Sequence, residues 1–229
     1  MSNARLPVPS RGFTRIIHRI GLLAFRQQWH SVYGKITADM LNSEAELNQI
    51  SNLLVIALVA AEDQRFFSHK GIDYRAMVRA SIQNLRARRY VEGGSTIEQQ
   101  LIRTYTGDKR RTIRRKLKDM IMASMLASSM SKGDIARLYI YSAYYGWRAN
   151  GILQACHRFG VRLDEHSLTD ACSIVARLKY PEPQHCSPER ERKIQRRTMY
   201  ILERIHNDGR IRDLVYTERW SINDISVPL

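Results

Sequence analysis

Ser43 to Asp73 reads SEAELNQISNLLVIALVAAEDQRFFSHKGID. Leu47, Ile50, Leu54, Leu58 and Ala61 recur at three- and four-residue intervals, the period of a helix with one buried face. Ser43 and Glu46 form an S-x-x-E capping box, so the spacing predicts one helix that starts at Ser43 and delivers Glu62 at its C-terminal end. An acidic pair, two aromatics, a histidine and a glycine turn follow. A carboxylate held there in a partly dry cleft can serve as a general base. Without further context the same group is a solvated helix end.

Helical punctuation continues downstream. Tyr74 to Arg89 reads as a helix with Val78, Ile82 and Leu85 turned inward and Arg86, Arg88 and Arg89 closing it against the dipole, before Gly93-Gly94 breaks the chain. Helical spacing resumes at Thr96, pauses at Gly107-Asp108 and restarts through Ile113, Leu117, Met120, Ile121 and Met125. Ser131 to Asp134 reads as a cap that opens a helix through Ile135, Leu138 and Tyr139. Later helices are predicted from Leu168 to Lys179, stopped by Pro181, and from Pro188 to His206, with Ser187 as N-cap and Gly209 as the stop. No alternating strand of useful length is present, and the predicted fold class is all-α.

Upstream, Phe13, Ile16, Ile17, Ile20, Leu23 and Ala24 recur at helical spacing with Arg15, His18, Arg19 and Arg26 between them. Residues 1–42 are thus set apart as a basic amphipathic segment, ahead of one domain over 43–229. Such a helix can lie on an anionic bilayer or pack on its own domain, and the pattern serves either.

The 229 residues carry 37 Lys and Arg against 22 Asp and Glu, a net charge of +15, which favours anionic partners. With 44% hydrophobic residues a real core can form, and disorder is excluded. The three cysteines, Cys156, Cys172 and Cys186, form no CxxC pair and are expected to be small buried thiols. Met1 to Ser10 offers no secretory h-region, and the longest apolar run, Leu53 to Ala61, is nine residues against the roughly 20 that a spanning helix requires. No membrane-crossing segment is expected.

Two further constellations carry chemistry. In Glu92 to Arg103, EGGSTIEQQLIR, the glycines permit close backbone approach, Ser95 and Thr96 can cap the next helix, and Gln99, Gln100 and Arg103 add donors for phosphate or sugar oxygens. A plain glycine turn with an N-cap explains the glycines but not the paired glutamines. In Lys109 to Asp119, KRRTIRRKLKD, a helix places Arg111, Arg115 and Lys118 on one stripe with Asp119 one turn beyond Arg115. A pyrophosphate fits such a face, as does a nucleic acid or plain solvent.

In order, these three segments resemble the glycosyltransferase family 51 module of peptidoglycan synthases, which is recognised by EDxxFxxHxGID, GGSTIxQQLxK and RKxxE. The chain has EDQRFFSHKGID, GGSTIEQQLIR and RKLKD. Lys132 to Gly146 (KGDIARLYIYSAYYG) is similar to the family's fourth motif, and Leu168 to Ala171 to its fifth. No transpeptidase domain is expected after Leu229, and the implied relatives are the monofunctional transglycosylases. The resemblance implies a lysozyme-like helical head lobe with a smaller, membrane-facing jaw lobe.

It also implies the substrate, lipid II, polymerised into β-1,4 glycan strands with inversion and release of undecaprenyl pyrophosphate. Glu62 and Asp119 match the catalytic carboxylates, Glu62 as the base for the acceptor's 4-hydroxyl. Asp63, Phe66, His69, Gly94, Ser95, Thr96, Gln99, Gln100, Arg103, Arg111, Arg115, Lys116 and Lys118 match or neighbour substrate-binding positions. No cofactor is required, a Mg²⁺ or Mn²⁺ is compatible with the family, and no metal ligand is assigned. The implied partners are lipid II, the growing glycan strand and an anionic membrane surface, at the outer face of the bacterial cytoplasmic membrane.

The chain departs from the pattern at Asp119, where the family has glutamate, at Arg103 for lysine, at Tyr141 for asparagine, and at Glu98 between the glycines and the glutamines. A weakly active or inactive relative that binds lipid II or anionic membrane is the alternative these departures raise. A basic nucleic-acid-binding protein is the other, but no helix-turn-helix, zinc or RNA-binding signature accompanies the charge, so no nucleic acid is expected as partner.

Overall fold

The computed structural model of the chain describes residues 11–89, 93–209 and 211. Ten α-helices, one short 3-10 helix (Phe66–Ser68) and one minimal hairpin are the regular elements among the described residues, so the fold is all-α as the periodicity predicts. The helices are α1 (Arg11–Asn42), α2 (Glu44–Gln49), α3 (Asn52–Glu62), α4 (Tyr74–Ala87), α5 (Ile97–Thr106), α6 (Ile113–Ser129), α7 (Lys132–Ser142), α8 (Ile152–Phe159), α9 (Leu168–Lys179) and α10 (Pro188–Asn207). The hairpin pairs β1 (Tyr144–Gly146) with β2 (Ala149–Asn150), strands too short to carry an alternating pattern.

The single helix expected from Ser43 to Glu62 is broken in two. Ser43 makes no side-chain cap; its hydroxyl donates instead to Tyr141 Oη at 2.8 Å. The helix stops at Ile50, whose ψ of 113° is extended, and Ser51 caps the next one by accepting from the Leu54 N–H at 3.3 Å. Leu47, Ile50 and Leu54 are all buried on either side of the corner. Every residue of α3 from Leu54 to Ala61 is buried. A helix apolar on all sides is a core helix; α7, α9 and α10 pack around it.

α1 kinks at Phe25, and its second half joins the same core through Trp29, Val32 and Ile36, residues that a domain boundary at 43 leaves out. Tyr105 Oη donates to Asp39 Oδ2 at 2.7 Å and ties α5 to this half. The side chains of Phe13, Ile16, Ile17 and Ile20, in the predicted amphipathic stripe, lie outside the described ones, as do residues 1–10 and 212–229. Leu23, from the same stripe, is exposed.

α4 corrects the sequence reading. Val78, Ile82 and Leu85 do share a face, but that face is 48%, 45% and 80% exposed rather than turned inward. Ala80, on the opposite side, is the buried residue of the helix. Periodicity identifies an apolar face without saying what covers it. Of the cysteines, Cys156 and Cys172 are buried, with burial pushing their thiols up to about 11 and about 12, whereas Cys186 is exposed. No helix among the described residues is long and apolar enough to cross a membrane.

Candidate active site

Glu62 is the last residue of α3, and Asp63 leaves the helix with φ −154° and ψ 78°. The turn leaves the Glu62 side chain mostly enclosed, with 18% of it exposed. Gln100 Nε2 on α5 donates to Glu62 Oε2 at 3.2 Å, and Arg197 Nη2 on α10 donates to Glu62 Oε1 at 3.2 Å. The Tyr139 hydroxyl on α7 donates to Gln100 Oε1 at 2.7 Å. Burial, and then the charge of Glu62, push the Tyr139 phenol well above its ordinary value, so it stays a donor. The base candidate is thus held from three helices.

Asp63 turns the other way, into the protein. His69 Nε2 donates to its Oδ2 at 2.9 Å, and the Ile97 N–H, at the start of α5, donates to the same oxygen at 3.3 Å. Thr96 caps α5 by accepting from the Gln99 N–H, and its own hydroxyl donates to the Gly71 carbonyl at 2.8 Å. Gly71 has φ 82° and passes so close to α6 that a Cβ would lie 2.3 Å from the Ala123 carbonyl oxygen. Only glycine fits both demands. The residues of the first two motifs therefore lock the end of α3, the following turn and the start of α5 into one unit.

Phe66 is fully buried beneath this junction, with its ring edge-on to His69. Lys132 Nζ lies 4.3 Å over the Phe66 ring and pairs with the fully buried Glu98. Asp63, His69 and Glu98 offer ligand atoms within 4.8 Å of one another. As arranged they do not fit a divalent ion, because Lys132 already supplies the cation on Glu98 and His69 spends Nε2 on Asp63. Asp119 offers no better site, since its neighbours are cations.

One turn along α5 from Gln100, Arg103 lies beside Asp119 of α6. Arg115 Nη1 donates to Asp119 Oδ2 at 2.7 Å, the i,i+4 pair that the spacing implies. Burial pushes the Asp119 carboxyl above its ordinary value, while Arg115, Arg103 and Lys118 pull it back. Lys118 is itself engaged, 3.1 Å from Asp108, which also binds Arg110. The pairing uses one oxygen of the shorter aspartate stem: Asp119 is 2% exposed, with Oδ1 buried and unpartnered.

The remaining predicted positions fall into two groups. Thr96 and Gln99 are buried and belong to the scaffold, and Gly94 passes α4 so closely that a Cβ would lie 3.0 Å from Met77 Cα. Ser95 precedes the cap without making it, and Glu92 lies outside the described residues. Arg111 and Lys116 are exposed, and Arg111 is not on the predicted stripe because α6 begins after the cap at Thr112. Tyr139 and Lys132 lie in the fourth motif without a role assigned from the sequence, and Arg197 lies outside every motif quoted. For Arg197 one signal existed, a charge beside Ile194, Thr198, Ile201 and Ile205 on the buried stripe of α10.

The family model described as Transglycosylase matches residues 30–206, most of the chain. The chain belongs to the transglycosylase family. This transglycosylase chain is 37% identical over 173 residues to penicillin-binding protein 1A of Aquifex aeolicus, covering 75% of the chain and 24% of that protein. It is 31% identical over 197 residues to a transglycosylase-like protein of Cupriavidus necator, covering 86% of the chain and 84% of that protein. With penicillin-binding protein 1A of Escherichia coli the identity is 32% over 166 residues, 72% of the chain and 19% of that protein. The transglycosylase chain thus spans about a quarter or less of the penicillin-binding proteins it matches.

Proposed function

We propose that the chain is a peptidoglycan glycosyltransferase that polymerises lipid II into β-1,4 glycan strands with inversion. The observation that carries this reading is that Gln100, which bonds Glu62, and Arg103, which lies beside Asp119, are one turn apart along α5. A glycosyl transfer from a lipid pyrophosphate needs a proton acceptor and a cationic site in one cleft.

In this reading Glu62 accepts the proton of the acceptor's 4-hydroxyl as that oxygen attacks the donor's anomeric carbon. A hydroxyl is a poor nucleophile until a positioned carboxylate takes its proton in the transition state. One direct displacement inverts the centre without a covalent intermediate. Negative charge grows on the departing pyrophosphate, and Arg103 and Arg115 meet it with preorganised charge. Asp119 keeps Arg115 oriented; exposed Arg111 and Lys116 extend the cationic surface outward. No step passes through a metal ion.

The exposed face of α4 supports a membrane-facing role for this part of the chain, at the outer face of the bacterial cytoplasmic membrane. Val78 and Ile82, about half exposed, each forgo roughly half of the about 1.5–3 kcal/mol that full burial contributes, Leu85 forgoes most of it, and exposed Arg86, Arg88 and Arg89 at the end of the helix suit anionic headgroups.

The test is incubation with fluorescent lipid II and separation of the products on a gel. Wild-type protein is expected to form polymer, and Glu62→Gln, which keeps shape and loses the proton acceptor, to form none. Polymer formed by a folded Glu62→Gln variant at the wild-type rate overturns the role of Glu62. A wild-type protein that binds lipid II without polymer leaves the binding-only alternative in its place.

A further inference from the structure

We infer that Arg197 is a positioning residue for Glu62, supplied by the C-terminal helix; the inference rests on the reading of Glu62 as the base. Its Nη2 donates to two oxygens of adjacent residues, the Ala61 carbonyl at 2.7 Å and Glu62 Oε1 at 3.2 Å. The first contact holds the end of the α3 backbone and the second holds the side chain that leaves it. One guanidinium therefore fixes the carboxylate relative to its own helix.

The guanidinium is fixed in turn. It lies 4.9 Å over the Tyr200 ring, and 13% of the Arg197 side chain is exposed. A cation enclosed to this degree is expensive to bury without a partner, so the pair with Glu62 is specific rather than a passing surface contact. With Arg197 on Oε1 and Gln100 on Oε2, each carboxylate oxygen keeps one lone pair, and the exposed part of Glu62 is where an acceptor hydroxyl can approach.

The double contact matters during the reaction. When Glu62 takes a proton its negative charge is lost, yet Arg197 still has the Ala61 carbonyl as acceptor and need not move. Lysine could supply the charge and several donors on one nitrogen, but not a planar group whose two Nη2 N–H directions are fixed by the guanidinium. Without Arg197 the Glu62 side chain regains rotational freedom on its Oε1 side. Misplacement of a reacting group by about 1 Å can cost about a hundredfold in rate.

The experiment compares wild type, Glu62→Gln, Arg197→Ala and Arg197→Lys for lipid II polymerisation, with thermal unfolding of each. Arg197→Ala is expected to lower kcat about a hundredfold while KM for lipid II changes by less than about threefold, because Arg197 touches the base and not the donor. Arg197→Lys is expected to recover roughly a tenth of the wild-type kcat, and millimolar guanidinium to raise kcat of Arg197→Ala but not of Glu62→Gln. If Arg197→Ala does not fold, Arg197→Lys alone decides, with a lowered kcat at unchanged KM expected. Wild-type kcat in a folded Arg197 variant, with Glu62→Gln inactive, overturns the positioning role and leaves the proposed reaction standing. A loss confined to KM also overturns it. Absence of polymerisation by wild type overturns the proposed reaction, and the positioning role falls with it.

Discussion

Tyr139 donates its hydroxyl to the side-chain carbonyl of Gln100 at 2.7 Å and thereby decides which end of that amide faces Glu62. With the carbonyl engaged, the Gln100 amide nitrogen points to Glu62 Oε2. The fourth motif thus acts on the first through a residue of the second. Tyr139→Phe removes the constraint and leaves the Gln100 carbonyl to find another partner in a largely closed site. Polymerisation is expected to fall about tenfold, with a stability loss of about 1 kcal/mol by denaturant unfolding. Unchanged turnover would show that the orientation of Gln100 is set elsewhere.

Glu98, the unusual negative charge between the glycines and the glutamines, is fully buried and pairs with Lys132, and the pair is a structural device. Lys132→Met strands a fully buried carboxylate, and breaking such a pair from one side typically costs about 3–5 kcal/mol. The double variant Glu98→Gln/Lys132→Met should regain most of that loss. Equal unfolding midpoints for wild type and Lys132→Met would remove the pair from the account of stability.

Much of this was legible from the sequence, and the failures share a cause. Caps at Thr96, Ser131 and Ser187 and the stops around them are local signals, and each is realised by a hydrogen bond within a few residues. The break at Ile50 was hidden because Ser43 also satisfied a capping pattern, while its hydroxyl was claimed by Tyr141, 98 residues away. The inward face of α4 failed for the converse reason, an amphipathic pattern with no covering element among the described residues. Motif spacing marked Glu62, Gln100, Arg103, Arg115 and Asp119. For Arg197 the sequence shows a charge beside the buried stripe of α10 but not its partner, because the contact with Glu62 spans 135 residues.

Asp119 makes a pH prediction with a definite sign. Burial raises its carboxyl above the ordinary 3.8, so in this region the folded state holds the proton more tightly than the unfolded chain. The stability linked to this residue is fully present below about pH 3.8 and is lost as pH rises through the raised value. Asp119→Asn cannot titrate, so the stability of wild type minus that of Asp119→Asn should decline as pH rises through that window. A difference that grows with pH would mean that the pull of Arg115, Arg103 and Lys118 outweighs burial.

The apolar face of α4 separates a membrane-binding role from a folding role. Val78, Ile82 and Leu85 lie on the solvent side of the helix, with Ala80 inward, so replacing all three by Ser should change folding stability little. Substitutions at exposed positions usually fall within about ±0.5 kcal/mol each, before the small helix-propensity cost of serine. Seating the exposed parts of the same three side chains in a bilayer would contribute most of about 1.5–3 kcal/mol for Leu85 and roughly half of that for each of Val78 and Ile82. Even partial insertion then predicts at least a tenfold loss of affinity for vesicles of anionic phospholipid, read by co-sedimentation. Polymerisation of lipid II in such vesicles should fall in step, while polymerisation of a short-chain, detergent-soluble donor should not, because Glu62 and the Arg103 and Arg115 cluster are untouched. Wild-type vesicle affinity in the triple variant would move the membrane contact off α4. A loss of activity on the soluble donor as well would place α4 in the catalytic cleft.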